Sequence, residues 1–528
     1  MLHEDADAYR ERQEEFISDL TGTTMLELVL VSTPIPMGIW LLAEAKVLLA
    51  GCERSLPAFG WQGFFVELLA VVFPALVCML WPSLTVTLVL SMALTSACCR
   101  LKRQYRMTCS GKADRSAEMP RGKDLGWPMM EAVTNIRASI MLMTCITILA
   151  VDFQVGELNL QLLVCPSARN FVTGSTTVVF LICILKESCI LRSISCCLHV
   201  NLQVFPRRFA KTEVFGTGLM DLGVGATIFA SGLGSGCRVK RESGHPRPGR
   251  SVWRTMLADI ASAAIRAWPL AALGLSRLVV IKGLGYQEHV SEYGVHWNFF
   301  ATLFFLRLVV VPMNRIRPVR VKPFLALVAI SVYQWFLTKG KLSDFIVHAP
   351  RDTLFAMNRE GILGLVGFVA IYYTAEELGS QISAHHQKLT ARQHQQFLSS
   401  SVAFAARANV VLWGLALLSE AFIQQTSRRM VNLTYVLWVC AHSMLMLGLL
   451  MVVDSLSLKR PTSRVLAAIN MNMFPVFMVA NLATGAVNIS MRTLDADALS
   501  AIMTLTIYVV FVAGVAVALS NRDLTIKM

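Results

Sequence analysis

Charge is scarce in this chain. Asp, Glu, Lys and Arg make up 16% of its 528 residues, against about 25% in an ordinary soluble domain. The apolar set reaches 55%, and mean hydropathy is +0.56. Long uncharged runs recur from Met25 to Leu519, which excludes the several soluble domains that length alone would suggest. Disorder and collagen-like repeats are excluded by the same composition. Among the 13 cysteines no CxxC pair and no Cys/His zinc spacing occurs. Cys98-Cys99 and Cys196-Cys197 offer no disulfide framework, and the cysteines inside apolar runs are small hydrophobes. There is no GxGxxG motif and no P-loop. His385-His386 and His394 lie in a polar loop without carboxylates at ligand spacing, so no metal site is expected.

What remains is an all-α, polytopic integral membrane helix bundle. About 20 apolar helical residues cross a hydrocarbon core. Thirteen spans are expected, at 25–50, 64–81, 83–99, 139–153, 213–233, 256–281, 296–312, 322–338, 361–377, 402–422, 431–454, 464–489 and 499–520. Residues 1–16 are acidic and polar, without the regions of a cleavable signal, so the first span is expected to act as an uncleaved targeting signal. The net charge of +14 gathers in short loops, notably 100–123, 238–254, 315–322 and 459–464. Basic residues so placed set orientation and meet anionic headgroups, and nucleic-acid binding is not expected. Cytosolic basic loops put the N-terminal segment (1–24) in the lumen and the C-terminus in the cytosol.

The organisation then reads as a membrane part at 25–154 holding four spans, an anomalous block at 155–203, and a second membrane part at 204–528 holding nine. The block contains one further apolar stretch, 171–185, which as a span would invert every later loop.

Seven segments carry a resemblance to a known family. They are FISDLTGTTMLE (16–27), TCITILAVDF (144–153), FPRRFAKTEVFGTGLMDLGVG (205–225), EYGVHWNFF (292–300), NREGILGLVGF (358–368), SRRMVNLTYVLWV (427–439) and AAINMNMFPVFMVANLATGAVNISM (467–491). In that order and nearly end to end, the chain resembles the PIG-W/Gwt family of glucosaminyl-phosphatidylinositol acyltransferases. Their members are polytopic enzymes of the endoplasmic reticulum that acylate inositol during GPI-anchor synthesis. The resemblance implies acyl-CoA as co-substrate, no bound cofactor, glucosaminyl-phosphatidylinositol as acceptor, and membrane lipid as surroundings. In the family the stretch resembling AVDF runs within a few residues into the one resembling FPRRFAK. Here 155–203 intervenes, and Gln-Val is duplicated at Gln154-Val155 and Gln203-Val204. A valine codon begins GT and a glutamine codon can end AG, so the 49-codon block reads as a retained intron or a lineage-specific insertion.

Acyl transfer from a thioester to an alcohol needs a base, a stabiliser of the oxyanion and a dry pocket. Ionisable residues inside membrane spans are expensive and are functional candidates by default. Asp152 closes the fourth span and Lys211 opens the fifth, ten residues away once the block is set aside. The resemblance points to this pair as catalytic: Asp152 as base on the inositol hydroxyl, Lys211 as the cation that keeps it ionised and meets the oxyanion. On spacing alone a structural ion pair fits equally. His296 opens the seventh span and is an alternative acid/base group or a satisfied interfacial histidine. Arg207 and Arg208 suit a phosphodiester clamp or a membrane-flanking role. Asp221, among Gly218, Gly223 and Gly225, either accepts from substrate hydroxyls or joins helices. Asn298, Asn358, Arg359 and Glu360 are candidate sugar contacts. Glu27 faces the bundle as substrate contact or packing partner. In the twelfth span Asn470, Asn472, Asn481, Thr484 and Asn488 form a polar stripe, with Asn481 taken as a substrate contact. A lipid or solute transporter is the alternative from another class, although no internal repeat of the kind common there is found.

Overall fold

The computed structural model describes residues 9, 11–12, 15, 20–50, 61–109, 129–153, 205–238, 252–284, 290–314, 321–386, 394–457 and 463–525. The block at 155–203 lies outside the described residues. Among those described, the only extended pairing is an isolated parallel bridge between Gly22 and Thr217; everything else regular is helical.

The first helices are α1 (Met25–Ser32), α2 (Pro34–Ala50), α3 (Trp61–Glu67), α4 (Phe73–Leu80), α5 (Thr85–Cys109) and α6 (Met129–Ala150). A π turn at Leu68–Val72 joins α3 to α4. Then come α7 (Leu219–Arg238), α8 (Val252–Leu284), α9 (Val290–Tyr293), α10 (Phe299–Met313), α11 (Val321–Thr338), α12 (Leu342–His348) and α13 (Leu354–Met357). The last are α14 (Arg359–His386), α15 (His394–Phe422), α16 (Leu433–Leu456), α17 (Arg464–Met471), α18 (Met473–Ser490) and α19 (Ala498–Asn521). By length and composition, eleven segments of the described residues suit a membrane crossing. The other two expected spans correspond to the 15-residue α10 and to α7, whose five glycines dilute its apolar character.

Lipid tails are as apolar as leucine, so apolar burial alone does not drive these helices together; close backbone approach and internal hydrogen bonds do. The tightest partnership is α7 against α14. A Cβ added at Gly232 would collide with the Tyr372 carbonyl, at Gly236 with the Glu376 carbonyl, and at Gly379 with the Leu233 carbonyl. Only hydrogen at those positions lets the two backbones touch. On the outside, Trp268, Val332, Trp335, Val410, Leu417 and Ile507 are exposed, as a lipid-facing surface requires. Trp438, Tyr435, Tyr373 and Phe229 fill the middle.

Two expected spans differ in detail. The fifth becomes helical only at Leu219, because 213–218 is tied elsewhere: Glu213 N–H donates to the Leu20 carbonyl (3.1 Å) and Gly216 N–H to the Thr426 carbonyl (2.8 Å). The twelfth is broken at Asn472 into α17 and α18. Pro475 lacks the N–H that would reach Met471 and its ring crowds that carbonyl, so the helix restarts.

Candidate functional site

Asp152, Lys211, Asp221 and Asn488 all lie at one end of the bundle. It is the end where α6 and α18 finish and where α1, α7, α14 and α16 begin. Irregular segments stitch it together. Thr23 N–H donates to the Thr217 carbonyl (2.7 Å), with Gly22 and Gly216 at φ of +79° and +129°. Those conformations cost glycine little and other residues much.

Asp152 sits in the turn after α6, beyond the membrane span that ends at Ala150. It keeps partial access to the outside but is crowded by protein. Asn488, near the end of α18, donates through Nδ2 to Asp152 Oδ2 at 2.9 Å. Burial pushes the Asp152 carboxyl up to about 6, while the Asn488 hydrogen bond and the Lys211 charge pull it down. A carboxylate so poised is ionised at neutral pH yet basic enough to accept a proton.

Lys211 acts on Asp152 through its field, but its ion-pair partner is Glu292 of α9. Glu292 is shared: Arg428 Nη2 lies 3.7 Å from its second oxygen. Arg428 in turn has Nε 3.9 Å from Asp221 Oδ1 and its guanidinium 4.8 Å over the Tyr293 ring. The result is an alternating row, Lys211, Glu292, Arg428, Asp221, in which each neighbour carries the opposite charge.

Asp221 is fully buried in the first turn of α7. Its Oδ2 accepts from the N–H of Thr212 (3.1 Å), the hydroxyl of Thr212 (2.9 Å) and the N–H of Gly218 (3.0 Å). Its backbone carbonyl accepts from the Tyr435 hydroxyl (2.7 Å). These bonds give Asp221 the work of holding the 205–218 segment onto α7.

Arg208 is half-exposed and pairs with Glu27, Nη2 to Oε1 at 2.7 Å with Nε donating as well. Thr23 also donates to Glu27. Arg207 is exposed beside it in the short 3-10 turn. His296 is exposed, and its backbone N–H donates to Asn358 Oδ1 (2.8 Å); among the described residues its imidazole makes no hydrogen bond.

The remaining polar candidates are occupied by the fold. Asn298 caps α10, accepting from Ala301 N–H (3.0 Å), and its amide donates to the Gly274 carbonyl (2.8 Å). Asn481 donates to the Phe477 carbonyl one turn back (2.7 Å). Arg359 binds the carbonyls of Ile346 and Ala349. Glu360 is held by Arg351 and Arg429. Sequence reasoning did not assign Glu292 or Arg428 a role. A lone carboxylate in a loop and an arginine pair ahead of a span look like ordinary membrane-flanking charges, and only tertiary packing makes them neighbours.

Beneath the charged row a cavity opens between α1, α2, α6, α7 and α16. Its walls are mostly apolar, with Ile140, Met143, Leu222 and Met446 among them, and with Thr144, Thr147, His442 and Ser443 as polar points. His442 Nδ1 and Ser443 Oγ are buried without a hydrogen-bond partner.

A family model described as GWT1 matches residues 9–155 and 166–519; its gap falls inside the anomalous block. Among curated proteins, GPI-anchored wall transfer protein 1 of Emericella nidulans is 30% identical over 98% of this chain and 99% of its own length. The Eremothecium gossypii protein of the same name is 30% identical over 99% of this chain and 100% of its own. That of Gibberella zeae is 36% identical over 69% of this chain and 75% of its own.

Proposed function

From the premise that the chain belongs to the GWT1 family, we propose that it acylates the inositol ring of glucosaminyl-phosphatidylinositol, with acyl-CoA as donor, in the endoplasmic-reticulum membrane. The relatives are named for GPI-anchored wall transfer, which supports a role in GPI-anchor biosynthesis. The observation that carries the finer reading is Asp152: a carboxylate with its pKa lifted to about 6, bound to Asn488, at the end of α6 whose preceding turns line an apolar cavity.

In the reaction Asp152 takes the proton of the inositol hydroxyl as that oxygen attacks the thioester carbonyl. The C–O bond forms and the carbonyl oxygen gains negative charge, which the nearby Lys211 ammonium stabilises. Collapse of the tetrahedral species breaks the C–S bond, and the departing thiolate takes up the proton, leaving ester and free thiol. Arg207 and Arg208 face the phosphodiester of the acceptor, and the acyl chains occupy the cavity. His296 is the competing base. Orientation follows the basic loops: the Asp152 end lumenal, the C-terminus cytosolic.

The test uses detergent-purified full chain with labelled acyl-CoA and glucosaminyl-phosphatidylinositol. Acylated lipid is the expected product. Asp152→Asn abolishes it at unchanged protein abundance, whereas His296→Ala lowers it severalfold at most. A transporter makes no acylated lipid, and retained activity in Asp152→Asn removes the base assignment.

A further inference from the structure

Lys211 rises from a segment whose backbone is already fixed. The next residue, Thr212, gives both its N–H and its hydroxyl to Asp221 (3.1 and 2.9 Å), and Glu213 N–H donates to the Leu20 carbonyl (3.1 Å). What remains free to turn is the side chain, an ammonium on a flexible four-carbon stem. Ordering such a stem is entropically unfavourable unless something grips its end. Glu292 does so, its Oε1 taking the ammonium as an ion pair. The Lys211 side chain is still 35% exposed, so the ammonium, with three donors, is not used up by that contact.

Glu292 is itself held on a rigid mount. It lies in the single turn of α9, and the ring of Tyr293 beside it sits 4.8 Å under the Arg428 guanidinium. The chain then turns at Gly294, with φ of +109°, where a Cβ would collide with the Met357 carbonyl. Val295 N–H donates to that carbonyl (2.9 Å) and His296 N–H to Asn358 Oδ1 (2.8 Å). Buried Arg428 stands 3.7 Å from Glu292 and 3.9 Å from Asp221. One guanidinium thus faces both carboxylates that govern Lys211: the one that fixes its backbone and the one that grips its side chain.

Asp152 feels the Lys211 charge without being its ion-pair partner. That separation suits a base and an oxyanion donor working side by side. A direct pair would occupy the ammonium and make the carboxylate a weaker base. With Glu292 as its anchor, the ammonium is aimed and Asp152 keeps its basicity.

We propose that Glu292 is the positioning residue for Lys211, holding the ammonium where negative charge develops on the thioester carbonyl, and that Arg428 locks Glu292 in place. Both act through Lys211, and the assignment rests on the acyl-transfer reading.

The experiment measures acyl transfer by the full chain in detergent, per mole of monodisperse protein. It compares the native protein with Glu292→Gln, Glu292→Asp, Lys211→Met and the double variant carrying Glu292→Gln and Lys211→Met. Glu292→Gln lowers kcat by about tenfold to a hundredfold, the scale of a displaced oxyanion donor, while both KM values hold within about twofold. Glu292→Asp keeps the charge and recovers most of the rate. In the double variant the losses do not multiply: removing Glu292 from a chain already lacking Lys211 lowers kcat by no more than about twofold. A carboxylate that only supports the fold multiplies its loss onto that of Lys211→Met, and that result overturns the proposal. The pH profile gives a second readout. Around Asp152 stand Asn488, Tyr508 and Lys211. Glu292→Gln removes a negative charge and frees the ammonium toward Asp152, so the acid limb moves to lower pH, opposite to Lys211→Met. A limb that stays in place or moves up overturns the anchored geometry. Should Glu292→Gln fail to fold, Arg428→Lys tests the same link, with a loss of kcat in the native background and none beyond about twofold in Lys211→Met. Native kcat in Glu292→Gln overturns the proposal and leaves acyl transfer standing. A native chain that makes no acylated lipid overturns the acyl-transfer reading and the proposal together.

Discussion

Asn488 donates a 2.9 Å hydrogen bond to the Asp152 carboxylate from 336 residues further along the chain. The bond joins the end of α18 to the turn after α6, and it favours the charged form of the acid. Burial opposes it, and the balance leaves the carboxyl near pH 6.

The pH profile follows from that balance. Asp152 works as a base only when ionised, so kcat/KM rises about tenfold per pH unit below its pKa and levels off above it. The limb is expected near pH 6, set by burial against the Asn488 bond and the Lys211 charge. Asn488→Leu and Lys211→Met each remove a group that lowers this pKa, so each moves the limb to higher pH. Rate–pH profiles of the three proteins check this; a limb that stays in place in both variants assigns the base elsewhere.

Arg428 stands between Glu292 and Asp221. Arg428→Met leaves the buried Asp221 carboxylate without its cation, while Glu292 keeps Lys211; a broken buried pair costs on the order of 3–5 kcal/mol. Thermal unfolding in detergent reports it as a large drop in melting temperature. Adding Asp221→Asn to that variant should recover part of the loss, because the buried charge left without a cation is removed.

Gly236 lies against the Glu376 carbonyl. Gly236→Ala forces α7 and α14 apart, at a cost of about 1–3 kcal/mol or more for overpacking. Yield of monodisperse protein on size-exclusion chromatography should fall sharply, whereas Gly485→Ala, with open space around it, should leave yield unchanged.

The block at 155–203 joins Phe153 to Phe205, both buried in the core. Its deletion restores the Gln154-Val204 junction and keeps the frame. The shortened chain is expected to fold and to transfer acyl groups at least as fast as the full one. An inactive shortened protein, or a transcript carrying all 49 codons as its major form, contradicts the retained-intron reading.

Helices were legible wherever the apolar runs were long. Eleven segments of the described residues meet the length and composition of a span, and α7 and α10 lie where the other two of the thirteen expected spans were placed. Breaks were less legible: Pro475 signals one at Asn472 only when read with the helix ladder in mind. At the site, Asp152 and Lys211 stood out as charges at span ends. Glu292 and Arg428 did not, because their importance lies in meeting each other across loops far apart in sequence. Asn298 and Asn358 show the converse. Both looked like sugar contacts, yet their amides bind the Gly274 carbonyl and the His296 backbone, a use that polarity alone does not reveal.

Long-range closure of this kind governs how the molecule can be born. Asp152 leaves the ribosome with α6, whereas Asn488 follows only with the last membrane segments. Throughout synthesis Asp152 has at most the Lys211 charge beside it and waits for the Asn488 hydrogen bond, made hundreds of residues later. A chain interrupted before α18 therefore lacks the Asn488 bond and holds an unfinished centre.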